Sequence, residues 1–190
     1  MAGFIGFGWQ KFTWNSIPAS LLITPGGLDI LVINAGISTE PRMVEDSEPK
    51  AWRQTLETNL VGAYLTAKAA IPHLRQRGGG NIIVLGSGMG HKGMKGSSAY
   101  SCSKAGLSML VKVLAEELRE HGISVNELIP GPVDTGLNPA ALSTIMTSPD
   151  GAVEWNKKPE DVLPLALFLA QQSQLGPTGQ IFSLMRRILG

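Results

Sequence analysis

Three side chains in one stretch could do chemistry together. Asn81 to Lys104 reads NIIVLGSGMGHKGMKGSSAYSCSK and holds Ser87, Tyr100 and Lys104. Tyr100 and Lys104 are four residues apart, the spacing that puts two side chains on one face of a helix. A free phenol gives up its proton near pH ~10, too high for a base at neutral pH. A neighbouring ammonium favours the phenolate and lowers that pKa. Tyr100 would then exchange a proton with an alcohol or carbonyl oxygen. The Ser87 hydroxyl would hydrogen-bond the same oxygen and stabilise the charge developing on it. A Tyr and a Lys at this spacing are more often a core-edge aromatic and a solvated charge. The flanks therefore decide.

The elements that must position these groups are legible. Ile82 to Leu85 is a β-branched, apolar run bounded by glycines, which reads as a buried strand. Ser87 stands at its carboxyl end, a Gly-rich loop runs from Gly88 to Gly96, and a helix from Ser98 to Glu120 carries Tyr100 and Lys104. Leu28 to Ile33 is an earlier apolar strand ending in Asn34-Ala35-Gly36, and Ile123 to Ile129 is a later one ending in Pro130-Gly131-Pro132-Val133-Asp134-Thr135. Between the first two strands, Ser47 is a good helix N-cap, and Trp52, Leu56, Leu60, Ala63 and Ala67 follow at helical spacing. Asn59 lies in this helix, Pro72 is expected to kink or restart it, and Gly78-Gly79-Gly80 ends it. A last helix is expected from Val162 to Gln171, followed by a strand from Ile181 to Leu184.

In order and in register, these markers resemble the classical branch of the short-chain dehydrogenase/reductase family. They are N-A-G after a strand (Asn34, Ala35, Gly36), a helix Asn (Asn59), Ser then Tyr thirteen later (Ser87, Tyr100), Y-x-x-x-K (Tyr100, Lys104) and P-G after the next strand (Pro130, Gly131). The resemblance covers roughly Gly26 to Gln180. It implies a truncated Rossmann-type α/β fold: a parallel sheet with helices on both faces. It also implies an oxidoreductase that transfers hydride between NAD or NADP and an alcohol/carbonyl substrate. By resemblance, Tyr100 is the acid/base, Ser87 the carbonyl anchor, Lys104 the pKa modulator and ribose ligand, and Asn59 a relay that stabilises a helix distortion. Asn34, Ala35, Gly36, Tyr100, Lys104, Pro130, Gly131, Val133 and Thr135 would hold the nicotinamide end of the cofactor.

The first 25 residues depart from the family pattern, so the expected organisation is an atypical segment over 1–25 and one catalytic domain over 26–190. Family members begin with a T-G-x-x-x-G-x-G loop that cradles the cofactor pyrophosphate at a helix N-terminus. Only 27 residues precede Leu28, and one βαβ unit takes roughly 30 or more. Gly3-x-x-Gly6-x-Gly8 is a poor substitute. The phosphate half of the site is thus expected to be missing, with weak or absent cofactor binding. This keeps open an alternative, a non-catalytic remnant that serves as a binding or subunit-interaction module. It also leaves the strand from Asp29 to Ile33 with a bare edge, to be covered by Ala19 to Thr24 or by a second copy.

Composition narrows the partners. Lys+Arg is 16 against Asp+Glu 15, with no basic run, which argues against nucleic acid or an anionic membrane surface. The N-terminal apolar runs are too short to span a bilayer. Cys102 is the single cysteine, read as a packing residue in a reducing, cytoplasmic setting. His91 reads as a surface residue of the Gly-rich loop, and the three histidines show no metal spacing. Leu137 to Pro149 reads as a lid whose Leu142, Ile145 and Met146 suggest an apolar substrate. The Asn59 and Tyr100 helices resemble the pair through which family members form homodimers.

Overall fold

The computed structural model describes residues 27–135 and 156–185, together with the backbone of Phe4–Gly6. Five strands form one sheet in the order β1 (Phe4–Gly6), β2 (Ile30–Ile33), β3 (Gly80–Leu85), β4 (Ile123–Ile129) and β5 (Ile181–Ser183), and each neighbouring pair is parallel. Parallel strands need crossovers, and those from β2 to β3 and from β3 to β4 are helical. The path from β2 to β3 runs through α1 (Pro49–Leu56), a π-helical turn (Glu57–Val61) and α2 (Gly62–Arg77). α3 (Ser98–Leu118) joins β3 to β4, and α4 (Leu163–Ala170) precedes β5.

Strand side chains alternate between two cores. Leu31, Ile33, Ile82, Val84, Ile123 and Val125 face α2 and α3, where Ala63, Ala67 and Ala70 are small enough to bring α2 close to the sheet. Ile30, Ile83 and Leu128 face the other way, onto Leu169 and Ala170 of α4. The continuous apolar runs of β2 and β3 follow from this two-sided cover. Left-handed glycines stop two of the helical runs: Gly78 (φ 91) after α2, and Gly122 (φ 65) after the 3-10 turn Arg119–His121 that extends α3.

Several local expectations change. The edge of β2 is paired by the chain's own Phe4–Gly6, with Phe4 opposite Ile30 and Gly6 opposite Val32. Gly6 is therefore a strand residue. Ala19 to Thr24 and the lid from Leu137 to Pro149 lie outside the described residues. The N-cap of α1 is Glu48, whose carboxylate accepts from the Lys50 N–H, and Pro49 takes the first position; Ser47 instead donates to the Val44 carbonyl. Pro72 sits inside α2 without breaking it. It lies on the exposed side of the helix. The interruption comes earlier, at the π turn around Asn59. Cys102 is exposed rather than packed.

Candidate active site

The parallel sheet brings the carboxyl ends of β2, β3 and β4 to one edge, where open α/β sheets bind ligands. Ser87 lies just beyond β3 in extended backbone (φ −158, ψ 143), and its Oγ accepts from the Met89 N–H at 3.2 Å. The short turn that follows packs on α3: a Cβ at Gly90 would come within 2.7 Å of the Lys104 carbonyl carbon. Only a glycine permits this approach, and it carries Ser87 to the first turn of α3. There the Tyr100 hydroxyl hydrogen-bonds Ser87.

Lys104, one turn on, is 4% exposed. Its Nζ donates to the Leu85 carbonyl at 2.7 Å and lies 5.8 Å from the centre of the Tyr100 ring. Burial pulls the ammonium down to about 8, against the opposing pull of the Glu127 carboxylate. Burial pushes the Tyr100 phenol up, and the Ser87 hydrogen bond offsets this only in part. The phenolate expected from the sequence is thus not what the free site holds. The ammonium points past the ring to a backbone carbonyl, so desolvation of the phenol dominates.

Asn59 is fully buried in the π turn. Its Oδ1 accepts from the Ile37 N–H at 2.7 Å, and its Nδ2 donates to the Ile37 carbonyl at 2.9 Å and to Ser103 Oγ at 3.0 Å. Ser103 Oγ in turn donates to the Tyr100 carbonyl at 2.8 Å. One amide therefore ties the loop after β2 to the backbone of the Tyr100 helix. The π turn is the helix distortion that the family resemblance implies.

The residues assigned to the cofactor gather at the same edge. Gly36 is buried against the site: a Cβ there would stand 3.6 Å from Asn59 Oδ1 and 3.7 Å from Lys104 Nζ. Asn34 and Ala35 are exposed at the end of β2. Past β4, Pro130 leads to Gly131 (φ 73), and Val133 forms a parallel bridge with Lys157. The Asp134 N–H donates to the Lys157 carbonyl at 2.8 Å, which holds this segment just ahead of Thr135. Lys104 uses one of its three donors on protein, the Leu85 carbonyl.

Two residues missed by the sequence reading belong to the site's wall. His91 is largely buried, and its Nε2 lies 3.2 Å and 3.3 Å from the two Glu127 carboxylate oxygens. Glu127 is itself 0% exposed. The available signal was an acid in the middle of the apolar strand Ile123–Ile129. No group of three or more potential metal ligands occurs among the described residues. No helix there is long and apolar enough to cross a membrane.

Known proteins resemble this chain in sequence and fold. The family model for short chain dehydrogenases matches residues 16–145. The cis-4-hydroxycyclohexanecarboxylate dehydrogenase of Sinomonas cyclohexanicum is 34% identical over 163 residues, covering 83% of this chain and 64% of that protein. A gluconate 5-dehydrogenase from Burkholderia cenocepacia, solved with NADP and tartrate, superposes with a TM-score of 0.73 at 29% identity, over 83% of this chain and 63% of that one. Carveol dehydrogenase from Mycobacterium avium, solved with NAD, does so at 0.73 and 28%, over 84% and 64%. The chain spans less than two thirds of the length of each of these three proteins. With a family model matched over more than half its length and the Ser, Tyr, Lys and Asn side chains gathered at one sheet edge, this chain belongs to the short chain dehydrogenase family.

Proposed function

We propose that this chain interconverts an alcohol and its carbonyl compound, using a nicotinamide cofactor. The observation that carries the reading is the Tyr100–Ser87 hydrogen bond beside a buried Lys104 ammonium at the carboxyl end of β3. In the reducing direction Ser87 anchors the carbonyl oxygen and Tyr100 gives it a proton. Lys104 holds the cofactor ribose through its spare donors, and Asn59 fixes the α3 backbone on which both Tyr100 and Lys104 stand. The cofactor, when bound, supplies or accepts the hydride. The substrate class is a small alcohol or ketone, as the activities for which the relatives are named suggest. Solved relatives carry NADP in one case and NAD in another, so both belong in the test.

The test is a titration with NADH and NADPH followed by nicotinamide fluorescence. No T-G-x-x-x-G-x-G loop occurs in the sequence. Each charge-assisted phosphate contact is worth about 1.5–3 kcal/mol, so binding in the millimolar range is expected. Binding should vanish in Lys104→Met. If neither cofactor changes the signal even at saturating millimolar levels, the oxidoreductase reading fails and a binding module takes its place.

The same reading proposes a homodimer through α2 and α3. Val61, Tyr64, Leu65, Met109 and Val113 are exposed there, beside a groove lined by Tyr64, Ile71 and Leu114. Apolar patches of this kind mark association surfaces. Light scattering at low micromolar concentration should give twice the chain mass of 20.2 kDa, and a Val113→Glu variant should give that mass once. A monomeric parent chain would exclude this interface.

A further inference from the structure

The buried acid behind the site has no role in the reading above. Glu127 sits in the centre of β4, paired with Val84 of β3 on one side and Ile181 of β5 on the other. β4 residues alternate faces, and Val125 belongs to the core under α3, so Glu127 also points under that helix. Its carboxylate fills the space where a side chain at position 86 would begin: a Cβ on Gly86 would overlap Glu127 Oε1. Gly86 directly precedes Ser87, so the carboxylate lies against the root of the Ser87 loop. From the far side the same loop returns His91, whose Nε2 meets both carboxylate oxygens.

A buried carboxylate is costly unless it is paired and hydrogen-bonded. An acid at this point of a strand otherwise made for a core therefore needs a reason beyond stability. The groups around it supply one. His91 holds Glu127 from the loop. Lys104 Nζ sits on the Leu85 carbonyl, one residue before the Gly86 against which the carboxylate packs, and so lies within reach of its charge. The other groups beside Lys104 Nζ are the Tyr100 phenol, the neutral Asn59 amide and the backbone of Gly36 and Leu85. Glu127 is thus the one anion facing the Lys104 ammonium among the described residues.

We infer that Glu127 is a positioning residue of the active site: its buried carboxylate grips His91, so clamping the Ser87 loop onto α3, and serves as the counter-charge that keeps Lys104 an ammonium. The inference rests on the oxidoreductase reading only in calling the site active. Both roles are read without cofactor, substrate or turnover. Failure of the cofactor titration would sink the oxidoreductase reading and leave these measurements standing.

The charge role is read by NMR titration of the chain labelled at lysine Cε, with the Lys104 signal assigned by its loss in Lys104→Arg. Glu127→Gln keeps the shape and removes the charge. The Lys104 midpoint should fall from about 8 toward ~7, because an opposite charge nearby favours the ionised form. A merely structural Glu127 would leave that midpoint in place, and an unchanged midpoint in the folded variant overturns the charge role. The clamp is read in His91→Ala, whose fold does not depend on the Glu127 substitution. The amides of Gly90, His91 and Lys92 donate to the carbonyls of Ser87 and Gly88. Their hydrogen exchange should quicken roughly tenfold once the imidazole anchor is gone. Unchanged exchange overturns the clamp, whatever the outcome with Glu127→Gln.

Discussion

Tyr100→Phe should lower the turnover of a carbonyl substrate by ~10²–10⁴-fold, the range that general acid–base catalysis contributes. The substitution keeps the ring, and with it the packing beside Lys104 Nζ, 5.8 Å from the ring centre. It deletes the one atom that hydrogen-bonds Ser87 and can pass a proton to the substrate oxygen. Because burial holds the Tyr100 proton on, the free site is poised to donate, which suits reduction at neutral pH. In the oxidising direction the same group must first lose its proton, so that rate should climb with pH while the reductive rate does not. Substrate binding should change far less than turnover, because Ser87 still offers its hydroxyl. Reduction by Tyr100→Phe at the rate of the parent chain would remove Tyr100 from the chemistry.

How far the sequence already showed this site depends on the range of the interactions involved. Tyr100 and Lys104 are set four apart by the helix repeat, and Ser87 is set by the end of a strand whose apolar run is unmistakable. Those positions follow from local periodicity and are found where expected. What was missed is non-local. The phenolate was inferred from the spacing alone, yet the direction in which Lys104 points is fixed by the Leu85 carbonyl, 19 positions away. His91 looked like a loop histidine because its partner, Glu127, is 36 positions away on another strand. Strand β1 escaped notice because three residues carry little periodicity, and only the unpaired edge of β2 gives them a reason to extend. Ser47 was mistaken for the N-cap because it is the better capping type, whereas the neighbouring Glu48 takes the position directly before Pro49.

Lys104 should also leave its mark on stability as pH rises. Its pKa is about 8 in the folded chain against 10.5 for a free lysine, so the folded state gives up this proton first. Below pH 8 both states hold it, and the full cost of burying an ammonium weighs against folding. Between 8 and 10.5 the unfolded chain binds more protons, which makes stability rise with pH. The whole of this contribution is on the order of 3 kcal/mol, from 1.36 kcal/mol per pKa unit. Tyr100 acts in the opposite sense. Its pKa is raised above 10.0, so the unfolded chain ionises first and stability falls once the pH passes 10. The rise is therefore expected between pH 8 and 10, where Lys104 changes its charge and Tyr100 does not. Urea unfolding at half-unit steps of pH across that window should show it in the parent chain and lose it in Lys104→Met. A rise that survives Lys104→Met, or a flat profile in the parent chain, would mean that the ammonium is not desolvated in the folded protein, and with it would go the reason for a counter-charge at Glu127.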